Sequence, residues 1–196
     1  MLALLLGGCA SERFSSAERM LVEAAGADVP LRVFKINSYT DSLLLRTPSR
    51  AVKARPNDPV LQLFLQRLLR TVQDPASLGV GIAAPQVGLL RNVIYVQRLD
   101  QAEAPFEAYL NPRILQYSVK KQDCTEGCLS IPERRGNSGQ RAYAILVAYD
   151  RPDGSHHQEM VEGFTAVIFQ HEIDHLNGIL FLDHLKEEVE KAKQPK

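Results

Sequence analysis

An α+β fold, with mostly antiparallel sheets packed around a central helix, is what this chain predicts. Three observations carry that reading. Apolar residues recur at helical spacing over residues 57–73 and again over 163–176, a period-2 pattern occupies the stretch between them, and the order helix, strands, helix separates the two element types instead of alternating them. The first element is a short helix over residues 16–25, closed by Gly26. Residues 31–36 read as extended. Asn57-Asp58-Pro59 is a helix start, a capping side chain followed by Pro at the first helical position; Leu61, Phe64, Leu65, Leu68, Leu69 and Val72 then carry the helix to about Gln73. Strands are expected over 92–97, 108–111, 114–119 and 144–150, the last ended by the turn Pro152-Asp153-Gly154. A second helix over 163–176 ends at Asn177-Gly178, and residues 181–193 include a polar closing helix.

The chain has 196 residues, 45% of them hydrophobic, which suits a single domain with a full core. Basic and acidic residues both number 23, so no charge excess calls for nucleic acid or an acidic membrane as partner. The mixed-sign tail from Lys186 to Lys196 reads as a solvated helix. Three cysteines, Cys9, Cys124 and Cys128, make a poor disulfide framework; metal ligation or burial suits them better. Leu6-Gly7-Gly8-Cys9-Ala10-Ser11 has the form of a bacterial lipobox. However, no Lys or Arg precedes Cys9, and the apolar run is shorter than the roughly 7–15 residues of a secretory core. Residues 1–30 are therefore taken as an extension that is either a lipoprotein-type signal or loosely packed chain, and 31–196 as the functional domain.

The second helix carries His171-Glu172-Ile173-Asp174-His175, an H-E-x-x-H pentapeptide. Residues four apart share a helix face, so the two imidazoles can hold one metal ion while Glu172 sits near its open position to move a proton. Cys128, in Glu126-Gly127-Cys128-Leu129-Ser130, is a candidate third ligand; two His and one Cys would leave a fourth position for water. Taken alone, Cys128 reads better as a small buried hydrophobe. Cys124 as a fourth ligand would close the site and make it structural. In the stretch from Gly79 to Gly88, no Lys-Ser/Thr follows the glycines, so a phosphate loop is a weak reading. Gly81 instead permits close approach of another backbone, and Gln86 is either an amide donor to a developing oxyanion or an ordinary Gln on a surface turn.

Three boxes, in this order, resemble the motifs of peptide deformylase: Gly79-Val80-Gly81-Ile82-Ala83-Ala84-Pro85-Gln86, Glu126 to Ser130, and Gln170 to His175 with its Gly178 to Asp183 tail. The likeness runs from about Leu31 to Leu185. The resemblance implies removal of the formyl group from N-formylmethionine at the start of new polypeptides, by a hydrolase holding one divalent ion, Fe2+ or Zn2+. It implies Cys128, His171 and His175 as ligands, Glu172 as acid and base, and Gln86 with the Leu129 N–H as oxyanion donors. By motif position the walls of a methionine pocket are Val80, Leu129, Phe164, Val167 and Ile168, with Cys124 as a further candidate. Gly81 offers its backbone to an extended substrate by strand addition, and Arg135 reaches the peptide backbone or is simply exposed.

The partner implied is an N-formylmethionyl peptide, met by a monomer at the ribosome exit, with no sequence-specific nucleic-acid contact. That places the chain in the cytoplasm, with a membrane anchor through Cys9 as the alternative. Two rivals remain. A metzincin protease would need a ligand at Phe181, which cannot bind metal, although another zincin type would use Glu187. An exported deformylase-like protein that binds peptide or metal without turnover is the other.

Overall fold

Ser15 opens the first helix, α1 (Ser16–Glu23), with a capping box. Its side chain accepts from the Glu18 N–H, and the Glu18 carboxylate accepts from the Ser15 N–H. A computed structural model describes residues 12–76, 78–138 and 141–185. The Cys9 segment, the tail beyond residue 185 and Glu187 lie outside the described residues.

α2 (Tyr39–Leu45) was not expected. It follows Ser38, whose side chain accepts from the Asp41 N–H. α3 (Pro59–Val72) starts as its sequence dictates: Asp58 accepts from the N–H groups of Val60 and Leu61, and Pro59 takes the position where a missing N–H costs nothing. Its apolar face buries Val60, Leu61, Phe64, Leu65, Leu68 and Val72. No helix among the described residues is long and apolar enough to cross a membrane.

Five antiparallel strands form the main sheet in the order β1-β2-β3-β8-β9: β1 (Gly81–Ala83), β2 (Val93–Gln97), β3 (Phe106–Tyr117), β8 (Ala144–Asp150) and β9 (His156–Glu162). Two two-stranded pieces complete the set, β4 (Lys121–Gln122) with β7 (Arg141–Ala142), and β5 (Thr125–Cys128) with β6 (Ile131–Asn137). β2 is covered on both faces. Val93 and Tyr95 face the core shared with α3, and Ile94 and Val96 face the core under α4 (Gly163–Leu176). Two buried faces require a near-continuous apolar run, and Val-Ile-Tyr-Val supplies it.

α4 is buried nearly all round, from Thr165 to Gln170 and again at Glu172, Ile173, His175 and Leu176. It is the central helix that the fold class called for, ending at Asn177 and at Gly178, whose φ is 72°. A Cβ at Gly178 would strike the Arg46 backbone, so glycine is needed there twice over. Residues 181–185 are helical.

The strands expected over 108–111 and 114–119 are one strand, β3, with a register shift against β8 between Leu110 and Arg113. Asn111 there has φ 50°, and its side chain accepts from Val52 N–H (2.9 Å) and donates to Val52 O (2.8 Å) and Asp150 (2.8 Å). Pro112, which has no N–H to give the ladder, is tolerated at such a bulge. Residues 31–36 join no ladder. Single hydrogen bonds anchor them instead: Phe34 N–H to Gln86 O (2.7 Å) and Ile36 N–H to Ser130 O (3.0 Å).

The segment ahead of residue 31 packs into the main core through Phe14 and Val22. Arg67 of α3, itself buried, donates to the carbonyls of Val22 (2.8 Å), Val29 (2.9 Å) and Leu21 (3.1 Å). Arg67→Ala leaves those carbonyls without their donor and is expected to lower stability by about 2–4 kcal/mol. Urea denaturation reads this, and an unchanged midpoint would mean that residues 12–30 lie outside the cooperative unit.

Candidate active site

Helical geometry puts His171 and His175 one turn apart on α4, with ring centroids 5.0 Å apart. Strand alternation turns Glu126 and Cys128 of β5 to the same side, toward those rings. The Cys128 Sγ lies 3.2 Å from His175 Nε2, and the ligand atoms of Cys128, His171 and His175 all fall within 4.8 Å of one another. Donors around one tetrahedral ion at ordinary metal–sulfur and metal–nitrogen lengths stand about 3.3–3.8 Å apart, so this cluster fits a divalent ion with little adjustment.

The rest of the cluster also fits an ion. His171 Nδ1–H donates to Glu126 Oε2 (2.7 Å), which leaves the Nε2 lone pair for a metal. Burial alone would raise the Glu126 carboxyl, but hydrogen bonds from His171 and Arg141 outweigh it and hold it well below the usual carboxylate range. Arg141 grips Glu126 through both oxygens, each at 2.8 Å, and reaches Asp174 at 2.7 Å; Ser138 also donates to Glu126. The Phe181 ring lies 6.1 Å from the His171 ring, centroid to centroid, and nearly parallel to it. The position where a metzincin would carry its third ligand therefore serves as packing.

Glu172 is buried, and its Oε2 has no hydrogen-bond partner among the described residues. Burial pushes its carboxyl up to about 7. A lone carboxyl in that state, beside a metal-binding cluster, is suited to taking and returning a proton near neutral pH. Gly81 makes room for it. A Cβ at residue 81 would come 2.5 Å from Glu172 Oε1 and 2.7 Å from Ile168 Cγ2. Within the chain, the close approach at Gly81 is thus made by side chains of α4.

Gln86 is buried on a short 3-10 turn (Ala84–Val87), so the surface-turn alternative fails. Its Oε1 accepts from the Ala83 N–H (2.8 Å), which fixes the amide and directs Nε2 toward Ser130 Oγ (3.3 Å) and Cys128 Sγ (3.5 Å).

A cavity of about 680 Å³ opens over the cluster, within the range of ordinary ligand sites. Apart from Cys124, the expected pocket residues line it: Val80 and Gly81 from the free edge of the sheet, Leu129 and Arg135 from the β5–β6 hairpin, and Phe164, Val167 and Ile168 from α4. Val167 and Ile168 are otherwise buried, whereas Phe164 stands at the rim, 47% exposed. Cys124 is a free, buried thiol. It belongs neither to the ligand cluster nor to the cavity wall, so both of its expected roles are corrected.

Sequence reasoning missed the supports. Glu126 carried a signal, since it is two residues before Cys128 in a strand and so shares its face. Arg141, Ser138 and the anchoring of β7 by Gln170, whose amide bonds both the N–H and the C=O of Ala142 at 2.9 Å, carried none.

Against known proteins, residues 33–191 match the family model described as polypeptide deformylase. A relative from Desulforudis audaxviator named peptide deformylase is 38% identical over 153 residues, covering 78% of this chain and 94% of its own. Among solved structures, a peptide deformylase from Acinetobacter baumannii bound to Met-Ala-Ser superposes with a TM-score of 0.70 at 34% identity, covering 80% of this chain and 99% of that one. The enzyme from Thermotoga maritima superposes with a TM-score of 0.68 at 31% identity, covering 79% and 96% of the two chains.

Glu126→Gln keeps the shape but removes the charge that orients His171. Retention of a divalent ion by the cluster is expected to weaken about 10–100-fold, measured by chelator competition.

Proposed function

This chain belongs to the polypeptide deformylase family, metal-dependent hydrolases that remove the formyl group from nascent peptides, and we propose that Cys128, His171, His175, Glu172, Gln86 and Leu129 carry that reaction in it. One observation carries the proposal: three ligand atoms within 4.8 Å of one another beside a buried, unpartnered carboxyl oxygen. Cys128, His171 and His175 would hold the ion, which supplies Lewis acidity and brings the pKa of water from about 15.7 towards about 7.

The protein groups do the rest. Glu172 accepts a proton from water, and the resulting hydroxide adds to the formyl carbon. Negative charge gathers on the formyl oxygen, where the Gln86 Nε2–H and the Leu129 N–H are the donors. Preorientation of Gln86 by the Ala83 N–H supports this, because a fixed donor pays no reorganisation as charge builds. Glu172 then passes its proton to the amine nitrogen as the C–N bond breaks. Formate and a free N-terminal methionine leave.

The substrate assigned is an N-formylmethionyl peptide. A relative whose structure holds Met-Ala-Ser supports a peptide as the substrate. We place it along β1, with Gly81 giving backbone hydrogen bonds, Arg135 reaching the peptide backbone, and Val80, Leu129, Phe164, Val167 and Ile168 around the methionine. Ferrous iron is the assigned ion and zinc the second choice, since a thiolate with two imidazoles suits both. The working form is a monomer acting in the cytoplasm at the ribosome exit, with residues 31–196 as the catalytic domain and the segment before them packed onto its core through Phe14 and Val22. Fractionation tests that location against a lipid anchor at Cys9.

Anaerobic purification, metal analysis and formate release from formyl-Met-Ala-Ser on one sample test the whole reading. Cys128→Ala is expected to lose both the ion and turnover; survival of both would remove the cysteine from the ligand set. Glu172→Gln is expected to keep the ion and lose about 100–10,000-fold in kcat. Replacing Gln86 by Ala should cost about 100–1000-fold in kcat.

A further inference from the structure

The β5–β6 hairpin has an irregular register beside the cavity. Gly127 pairs with Arg135 and the next residue, Cys128, with Ile131, so residues 132–134 are extruded from the ladder on the β6 side. Glu133, within that bulge, has φ 60°, a conformation that residues other than glycine rarely adopt. Bulges beside active sites re-aim side chains, and here Pro132, Glu133 and Arg134 all line the cavity.

The mouth that results has two unlike walls. Leu78, 84% exposed, and Phe164 form an apolar lip. Glu133, Arg134 and Arg135 form a charged one, with an excess of one positive charge. Neither guanidinium has a carboxylate partner among the described residues, while deeper in the cavity Glu126 is already neutralised by Arg141. An extended peptide turns successive side chains to opposite sides, so residues following the methionine must present one side chain to each lip.

We infer that Arg134 is a specificity-determining residue that favours an acidic side chain at the second or third position of the substrate. This inference rests on the deformylase reading. Arg135, whose guanidinium stem lies along Gly127 of the paired strand, is left for the peptide backbone. Arg134, exposed on the extruded segment and lining the cavity, is the one left to meet substrate side chains.

The test compares kcat/KM of the metal-replete protein on formyl-Met-Ala-Ser with that on peptides bearing Asp or Lys at the second or at the third position. At low ionic strength, Asp is expected to exceed Lys about three- to fivefold at one of the two positions, the ratio shrinking as salt rises. Arg134→Ala should abolish the ratio and Arg134→Glu should invert it. Equal rates on Asp and Lys peptides at both positions, or a ratio that survives Arg134→Ala, overturns the inference. Failure to release formate even from formyl-Met-Ala-Ser would overturn the underlying reading instead, so the two failures are distinguishable.

Discussion

The grip of Arg141 on Glu126 is the contact on which the geometry of the site depends. β5 and β6 form a two-stranded sheet of their own, with no ladder to the five-stranded one. No ladder hydrogen bond from the main sheet therefore fixes Cys128 relative to the histidines of α4; among the described residues only the Gln86 amide reaches it from beside β1. The buried charges do it. Gln170 of α4 holds the Ala142 backbone, the neighbouring Arg141 spans Glu126 and Asp174, and Glu126 receives His171. Burying these charges costs desolvation, and with each of them hydrogen-bonded to an opposite charge the arrangement is tolerable and directional. A greasy contact of equal area would hold the hairpin down without setting the angle of an imidazole ring.

The same design leaves one sheet edge open. β1 has β2 on one side and the cavity on the other. Exposed strand edges invite unwanted pairing, and the edge here is only three residues long, Gly81–Ala83. Its brevity limits the hazard. Gly81 serves both neighbours of that edge. Its missing side chain admits the Glu172 carboxyl on the helix side, and the residue also lines the cavity.

Legibility differed by element for physical reasons. α3 and α4 were readable nearly to the residue, because Asp58-Pro59 and Asn177-Gly178 are local capping signals and the apolar spacing between them needs no tertiary information. α2 was missed because seven residues carry too little periodicity. β9 was missed because its Met and Val sit among polar side chains, most of them exposed. β3 was split in two because Asn111-Pro112 reads locally as a break. Only a partner strand with a shifted register, and Val52 and Asp150 to bind the Asn111 amide, turn that break into a bulge.

By itself the sequence determined the identity of the chemistry. A pair of imidazoles one helical turn apart, a glutamate between them and a thiol in a short motif are all covalently local, and each motif constrains its own residues through helix or strand periodicity. What only the tertiary structure decided is how they meet. It excluded Cys124 and brought Glu126, Arg141 and Asp174 into one charge network. It also turned Gly81 toward Glu172 and set a bulged strand over the mouth of the cavity. Those relations join residues far apart in the chain, and their energies come from burial and hydrogen bonding between segments, which no local pattern records.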